Sequence, residues 1–380
     1  MAASDDNSLE HPEREHPALE HTALYALHLD RGGRMVDFAG YDLPVRYEPG
    51  PVAEHVHTRT AASLFDVSHM GVVELHGADA ASELERLVPS AITTLAPGRL
   101  RYTFFTNHDA GVLDDLIVTN ATTHLVAVVN ASRKAADIAH LREGLGSGTE
   151  VRPRPDLALL ALQGPEAVTA LSRHVPAAGE LVFMAAGSGE IAGIAVDISR
   201  SGYTGEDGFE ITVAAEHATA VAEALLAEAE VELAGLAARD SLRLEAGLSL
   251  YGQDLDPTTT PVEAGLTWAI QKRRRTEGGY PGADIVSAQL ASGPARVRVG
   301  IAADGRKPIR EGARLLDSAG AEVGTVTSGG YGPSIEAPVA MGYVRADLAD
   351  TGTALVADVR GREVTCTVAD LPFTPHRYVR

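Results

Sequence analysis

The chain has 380 residues, enough for two or three domains around a large interior. It carries 32 basic against 52 acidic residues, a net charge of −20, which argues against broad binding to nucleic acid or an anionic membrane. Its single cysteine, Cys366, allows no intrachain disulfide and no paired-cysteine zinc or redox motif.

No run reaches the ~18 apolar residues of a membrane span, and the first residues lack a signal-peptide core, so a cytoplasmic protein is expected. Residues 1–17 are rich in Asp, Glu, His and Pro and predict a disordered tail. Ordered chain begins near Thr22 with a helix carrying Leu24, Leu27 and Leu29, stopped by Gly32-Gly33. A strand-and-loop segment, Met35–Tyr47, is punctuated by Gly40 and Pro44, and Val52–Ser63 reads as a helix. Ser63–Gly71 then runs into a strand at Val72–Leu75. Within it, His69 reads as a hydrogen-bonded structural residue, because no second histidine stands at ligand spacing. Met70 either lines a pocket or fills a core gap. A short helix spans Ala78–Val88.

The most informative stretch is Gly111–Thr119, an apolar, β-branched run opened by Asp114 and Asp115. Side chains alternate along a strand, so Asp115, Ile117 and Thr119 share one face and Asp114, Leu116 and Val118 the other. An acid among aliphatic groups is costly unless paired, and the local pattern alone also fits two solvated turn residues. Its expected neighbours are Arg101–Thr106, with Tyr102, Phe104 and Thr106 on one face, and His124–Asn130. The Asn130 amide either reads a ligand edge or caps the helix beginning at Ala131.

Arg152–Pro155 breaks the chain. Beyond it come a strand at Ala158–Gln163, a helix at Ala167–His174 and a strand at Ile194–Ser199. Gly202, Gly205 and Gly208 make a tight turn in which backbone approaches a ligand closely, and Glu210 follows on an apolar strand. Glu216–Ala229 and Leu236–Leu250 read as helices. Arg239 and Arg243 lie one turn apart on the second, where Asp240 and Glu245 could pair with them at the surface. Trp268 sits in an apolar stretch before Lys272–Arg275, a basic run that is either a seat for an anionic tail or a solvated loop. From Ala295 onward, short strands between Gly and Pro turns predict a small antiparallel barrel with Cys366 on a strand. There is no dinucleotide fingerprint, phosphate loop, nucleophile elbow or metal-binding helix.

Met35–Pro44, Phe65–Gly71, Gly111–Val118, Ser199–Glu210, Ala238–Asp254, Thr260–Val262, Lys272–Arg275 and Pro372–Pro375, in that order, resemble the T-protein (aminomethyltransferase) family of the glycine cleavage system. The resemblance implies an α+β clover-leaf: a region at 18–150, a second at 151–290 and a C-terminal barrel at 291–380 around a central folate cavity. It implies transfer of a methylene group from aminomethylated dihydrolipoyl H protein to tetrahydrofolate, giving 5,10-methylenetetrahydrofolate and ammonia. The partners implied are the H protein and folate, with no metal, and a monomer is expected.

By position, Asp115 matches the family's catalytic aspartate and Glu210 its folate-contacting glutamate. Asn130 and Tyr102 match pocket residues near the pterin, with Tyr203 in the same wall. Arg239 matches an arginine near the folate's anionic end, Tyr378 another contact, and Met70 lines the approach. Leu248 and Phe183 stand where part of the family has aromatic hydroxyls. The alternative is a folate-binding scaffold of the same superfamily, which carries a Lys-Gly-Cys motif where this chain has Ala246–Asp254. Demethylating relatives fused to flavin domains are a third option, for which the chain has no fingerprint.

Overall fold

The computed structural model describes residues 18–380; the expected disordered tail at 1–17 lies outside the described residues. After a short helix, Tyr25–Asp30, a hairpin forms from β1 (Arg34–Phe38) and β2 (Tyr41–Arg46). The next helix, Pro51–Thr60, stops before the expected end at Ser63. Ala62–Asp66 is instead a strand, β3, because its apolar residues are drawn into a sheet between β9 and β13. β4 (Gly71–His76), β5 (Leu100–Thr106), β6 (Val112–Asn120), β7 (Leu125–Val129) and β8 (Glu150–Pro153) follow. They form an antiparallel sheet in the order β5-β6-β7-β4-β8.

The second sheet takes β9 (Leu157–Gln163), β10 (Ala185–Ile191), β11 (Ile194–Arg200), β12 (Gly208–Ala214) and β13 (Val231–Leu233). Its order is β10-β11-β12-β9-β3-β13, so a strand from residues 62–66 lies inside it. Each sheet covers one face with helices. In the first, Val73, Leu116, Val118 and Val129 pack with Leu84 and Leu141; in the second, Leu160, Leu162, Phe209 and Ile211 pack with Leu171, Val221 and Leu225. Their other faces turn toward one another, with Val128 of β7 packed in the cluster of Leu159 and Ala161 of β9.

The helix Leu236–Glu245 packs in that same cluster through Ala238 and Leu242. It ends five residues short of the expectation, because Gly247 takes φ +66°. The Gly247 and Leu248 amides then return to the carbonyls of Leu244 and Arg243, which closes the helix. Arg243 is buried rather than superficial: it pairs with Asp240 and Asp254 at 2.8 Å each and donates to Ser328 of the barrel at 2.9 Å. Lys272–Arg275 is not a loop but part of the helix Lys272–Glu277. Arg274 is buried against the carbonyls of Glu85 and Val88, and Arg273 pairs with Glu85 at 2.6 Å.

The C-terminal region is a closed antiparallel barrel of β14 (Arg296–Ala303), β15 (Arg314–Leu316), β16 (Glu322–Gly332), β17 (Ala337–Arg345), β18 (Ala354–Asp358) and β19 (Glu363–Ala369), as expected. Cys366 is buried in its core. Beyond β19 the chain folds back over the other regions. Thr374 N–H donates to the Glu245 carbonyl, Arg377 N–H to that of Gly205, and Phe183 N–H to that of Val379.

Candidate functional site

Period-two alternation places Asp114 and Asp115 on opposite faces of β6. Asp114, Leu116 and Val118 are buried toward the helices, while Asp115, Ile117 and Thr119 are half-buried on the face turned to the second sheet. A register irregularity between Phe105 and Thr106 of β5 lies beside the pair. Such a bulge re-aims side chains near it.

Neither acid is a solvated turn residue. Asp115 Oδ2 accepts the Tyr102 hydroxyl at 2.9 Å, and Oδ1 accepts Asn130 Nδ2 at 2.9 Å. The same Asn130 Nδ2 lies 2.9 Å from Asp114 Oδ1. Asn130 thus spends its amide on the carboxylates; it makes no side-chain cap to the helix that follows. Burial first, then the charge of Asp114, raises the Asp115 carboxyl to about 7 against the pull of these hydrogen bonds. Burial and the neighbouring Asp137 raise Asp114 to about 8. Two buried carboxylates this close cannot both ionise cheaply.

Across the gap, Glu210 alternates with Phe209 and Ile211 of the second core, so it faces the first sheet. Its Oε2 accepts the Ser201 hydroxyl at 3.0 Å, and burial raises its carboxyl above the usual range. Arg239, from the helix between the sheets, lies 4.8 Å from the centre of the Tyr203 ring. Its guanidinium has no hydrogen bond among the described residues, and its charge is felt at Glu210. The Tyr203 hydroxyl donates to the Ser249 carbonyl at 2.5 Å. Tyr102, Asp115, Asn130, Tyr203, Glu210 and Arg239 all keep accessible surface. For all of these except Asn130, whose amide does not titrate, desolvation is nonetheless the largest influence on titration. Groups that are both deep and wetted line a cavity.

The remaining expected residues lie around this group. Met70 is half-buried beside Phe65 and Ala238. Tyr378, on the returning C-terminal segment, stacks on Phe183 with ring centres 4.0 Å apart and planes 7° from parallel. His69 departs from the expectation of a hydrogen-bonded residue, since its Nδ1 has no partner among the described residues. Burial, aided by the positive charge of Arg239, depresses it to about 4, so it is neutral. Two members were missed by the sequence reading. Trp268, 63 % exposed, stacks on Tyr102 at 5.3 Å and forms a rim to the site. Asp137 of the helix Lys134–Gly144 backs Asp114. An exposed lone tryptophan was a usable signal; the Asp137 contact had none.

A cavity lined by two raised carboxylates, a guanidinium and flat aromatic faces can take a planar, polar ligand with an anionic tail and steady positive charge near Asp115. The description "GCVT N-terminal domain" matches residues 24–274, and "Glycine cleavage T-protein C-terminal barrel domain" matches 296–374. The mitochondrial aminomethyltransferase of Dictyostelium discoideum is 42% identical over 374 residues, covering 94% of this chain and 93% of that protein. That of Mus musculus is 45% identical over 366 residues, covering 93% and 90%. The crystal structure of the glycine cleavage system aminomethyltransferase T from Bartonella henselae superposes with a TM-score of 0.91 at 43% identity, covering 95% of this chain and 100% of that one. The chain therefore belongs to the glycine cleavage T-protein family of aminomethyltransferases.

Proposed function

We propose that this aminomethyltransferase uses tetrahydrofolate as acceptor in the cavity between the two sheets, and aminomethylated dihydrolipoyl H protein as donor. The lining fits a reduced folate. Glu210 offers two acceptor oxygens to the donors of a pterin, Tyr102, Tyr203 and Tyr378 offer flat faces, and Arg239 has its donors to spare for a carboxylate. The chemistry moves a one-carbon unit from an aminomethyl thioether to folate nitrogens with loss of ammonia, and positive charge develops at the carbon. The observation that carries the reading is the clamped Asp115. Both its oxygens are held, by Tyr102 and Asn130, so the negative charge is fixed in place before substrate arrives. With its carboxyl raised to about 7 it also takes and returns a proton close to neutral pH. Met70 borders the approach, and Leu248 and Phe183 make the wall more apolar than hydroxyl-bearing side chains would. The proposal includes a monomer acting in the cytoplasm; the relatives from Mus musculus and Dictyostelium discoideum are named mitochondrial.

The direct test is ammonia release from aminomethylated H protein with and without tetrahydrofolate; release that ignores folate would overturn the acceptor. Arg239→Ala should raise the Michaelis constant for folate by about one to two orders of magnitude, since a charge-assisted contact contributes about 1.5–3 kcal/mol. Saturated turnover should change far less. An unchanged constant with collapsed turnover would move Arg239 into the reacting centre.

The pH dependence follows from the sign of the Asp115 shift. The ionised carboxylate is the active form, so turnover should fall as pH drops through about 7. The check is kcat at saturating substrates on either side of neutrality. A profile flat through that region would mean that Asp115 ionises elsewhere or carries no charge-dependent role.

A further inference from the structure

Glu74, His76 and His124 converge at the other end of the inward face that carries Asp115, on the order of 13–20 Å along the strands from it. Glu74 and His76 stand two residues apart on β4 and share a face. β4 and β7 run antiparallel with Leu75 opposite Leu125, which sets His124, just ahead of β7, beside His76. Their rings stack with centres 4.5 Å apart. Glu74 Oε2 lies 2.8 Å from His76 Nε2, and one ligand atom from each of the three residues falls within 4.8 Å of the others. No motif announces this set, because the two histidines come from different strands.

Two further contacts prepare these side chains. Arg154 donates to Glu74 Oε1, which orients the carboxylate and leaves Oε2 toward the histidines. The Thr123 hydroxyl lies 2.9 Å from His124 Nδ1, which leaves Nε2 as the ring's other donor. Outer contacts of this kind fix the orientation and tautomer of metal ligands. The activity uses none of these residues.

We propose that Glu74, His76 and His124 bind one divalent transition-metal ion of the zinc class, with the fourth position left to water. Zinc takes imidazole nitrogen and carboxylate oxygen at about 2.0–2.2 Å, so tetrahedral donors stand ~3.3 Å apart. The Glu74–His76 pair has to open by about half an ångström, and His124 to close by a rotamer adjustment. Without metal the same residues form a cluster in which Arg154, and Arg152 at 3.9 Å, pair with Glu74, and His76 Nε2 lies 2.8 Å from its Oε2. The ion replaces the contact between His76 and Glu74 and ties the ends of β4 and β7 together away from the catalytic cavity.

The test titrates the full chain, stripped with chelator, with zinc chloride alone in a calorimeter; cobalt(II) replaces it for visible absorption. The expected result is one saturable equivalent, a rise in melting temperature with zinc, and the absorption bands of four-coordinate cobalt. His124→Ala and His76→Asn should each weaken binding at least tenfold, in line with the loss of a positioned ligand. His217→Ala, an exposed histidine elsewhere, should not. Far-UV circular dichroism and unchanged turnover confirm that the variants fold. Absence of saturable binding, or binding that survives in both His124→Ala and His76→Asn, would overturn the site.

Discussion

Asp115→Asn is expected to lower turnover by about two to four orders of magnitude, the span for losing one positioned acid–base or electrostatic group. Asparagine keeps the shape and volume, so Tyr102 still finds an acceptor and the strand still pairs. What goes is the negative charge held between Tyr102 and Asn130. Folate binding should survive, because Glu210, Arg239 and the aromatic wall are untouched. Asp114→Asn is the matched comparison. Asp114 is fully buried on the helix side of β6, backed by Asp137, and has no access to the cavity. That variant should keep most of its turnover. The measurement is methylenetetrahydrofolate formation at saturating folate and H protein. A crippled Asp114→Asn beside a nearly normal Asp115→Asn would reverse the assignment.

Glu245→Ala should cost roughly 3–5 kcal/mol of stability, the range for breaking a buried ion pair from one side. Glu245 has a fully buried side chain at the end of the helix Leu236–Glu245. It accepts Arg59 at 3.1 Å, His55 at 3.2 Å and the Ser334 amide at 2.8 Å, with Thr374 Oγ1 at 3.2 Å. These partners come from an N-terminal helix, the barrel and the returning C-terminal segment, so one carboxylate joins three regions. Burial alone would raise its pKa, but the hydrogen bonds and charge of His55 and the Ser334 contacts hold it down to about 2. A folded-state value below the unfolded one stabilises above the unfolded pKa and is lost as pH falls through about 2, so the whole contribution is present at neutral pH. Removal leaves Glu206 as the one carboxylate paired with Arg59 among the described residues and strands the Ser334 amide. Urea denaturation at neutral pH reads the loss; a change below about 1 kcal/mol would mean that the partners find other acceptors.

The parts that sequence made legible were those governed by short periods. Alternation along Gly111–Thr119 gave the phase of Asp114 and Asp115, and the neighbours of that strand on both sides, because a strand's two faces are a local property. The barrel was readable from its turns. Helix ends were not. Nothing local stopped the helix at Thr60, where pairing of β3 with β9 decides, and Gly247 ended the next helix earlier than its apolar pattern suggested. The grouping of Tyr203, Glu210 and Arg239 around Asp115 depends on how two sheets face one another, and no spacing encodes that. Asn130 shows the limit well: local grounds offered a helix cap or a ligand edge, and the neighbouring strand instead gives its amide the carboxylates of Asp114 and Asp115. Arg274 likewise looked like solvated charge until the carbonyls of Glu85 and Val88 were seen to bury it.

The strand β3 bears on how such proteins can exchange parts. It is made before any strand of the first sheet, yet it lies inside the second, flanked by β9 and β13. Recombination between two relatives near residue 150 would splice the chain between the two sheets and still set β3 of one parent against β9 and β13 of the other. The apolar contacts of Leu64 with Leu160 and Leu162 would then have to match across lineages. The same interleaving means that a fragment covering residues 151–290 would carry a sheet with a gap at its inner position and two unsatisfied strand edges. Inheritance and dissection therefore treat the first two regions as one unit, although the break at Arg152–Pro155 divides them along the chain.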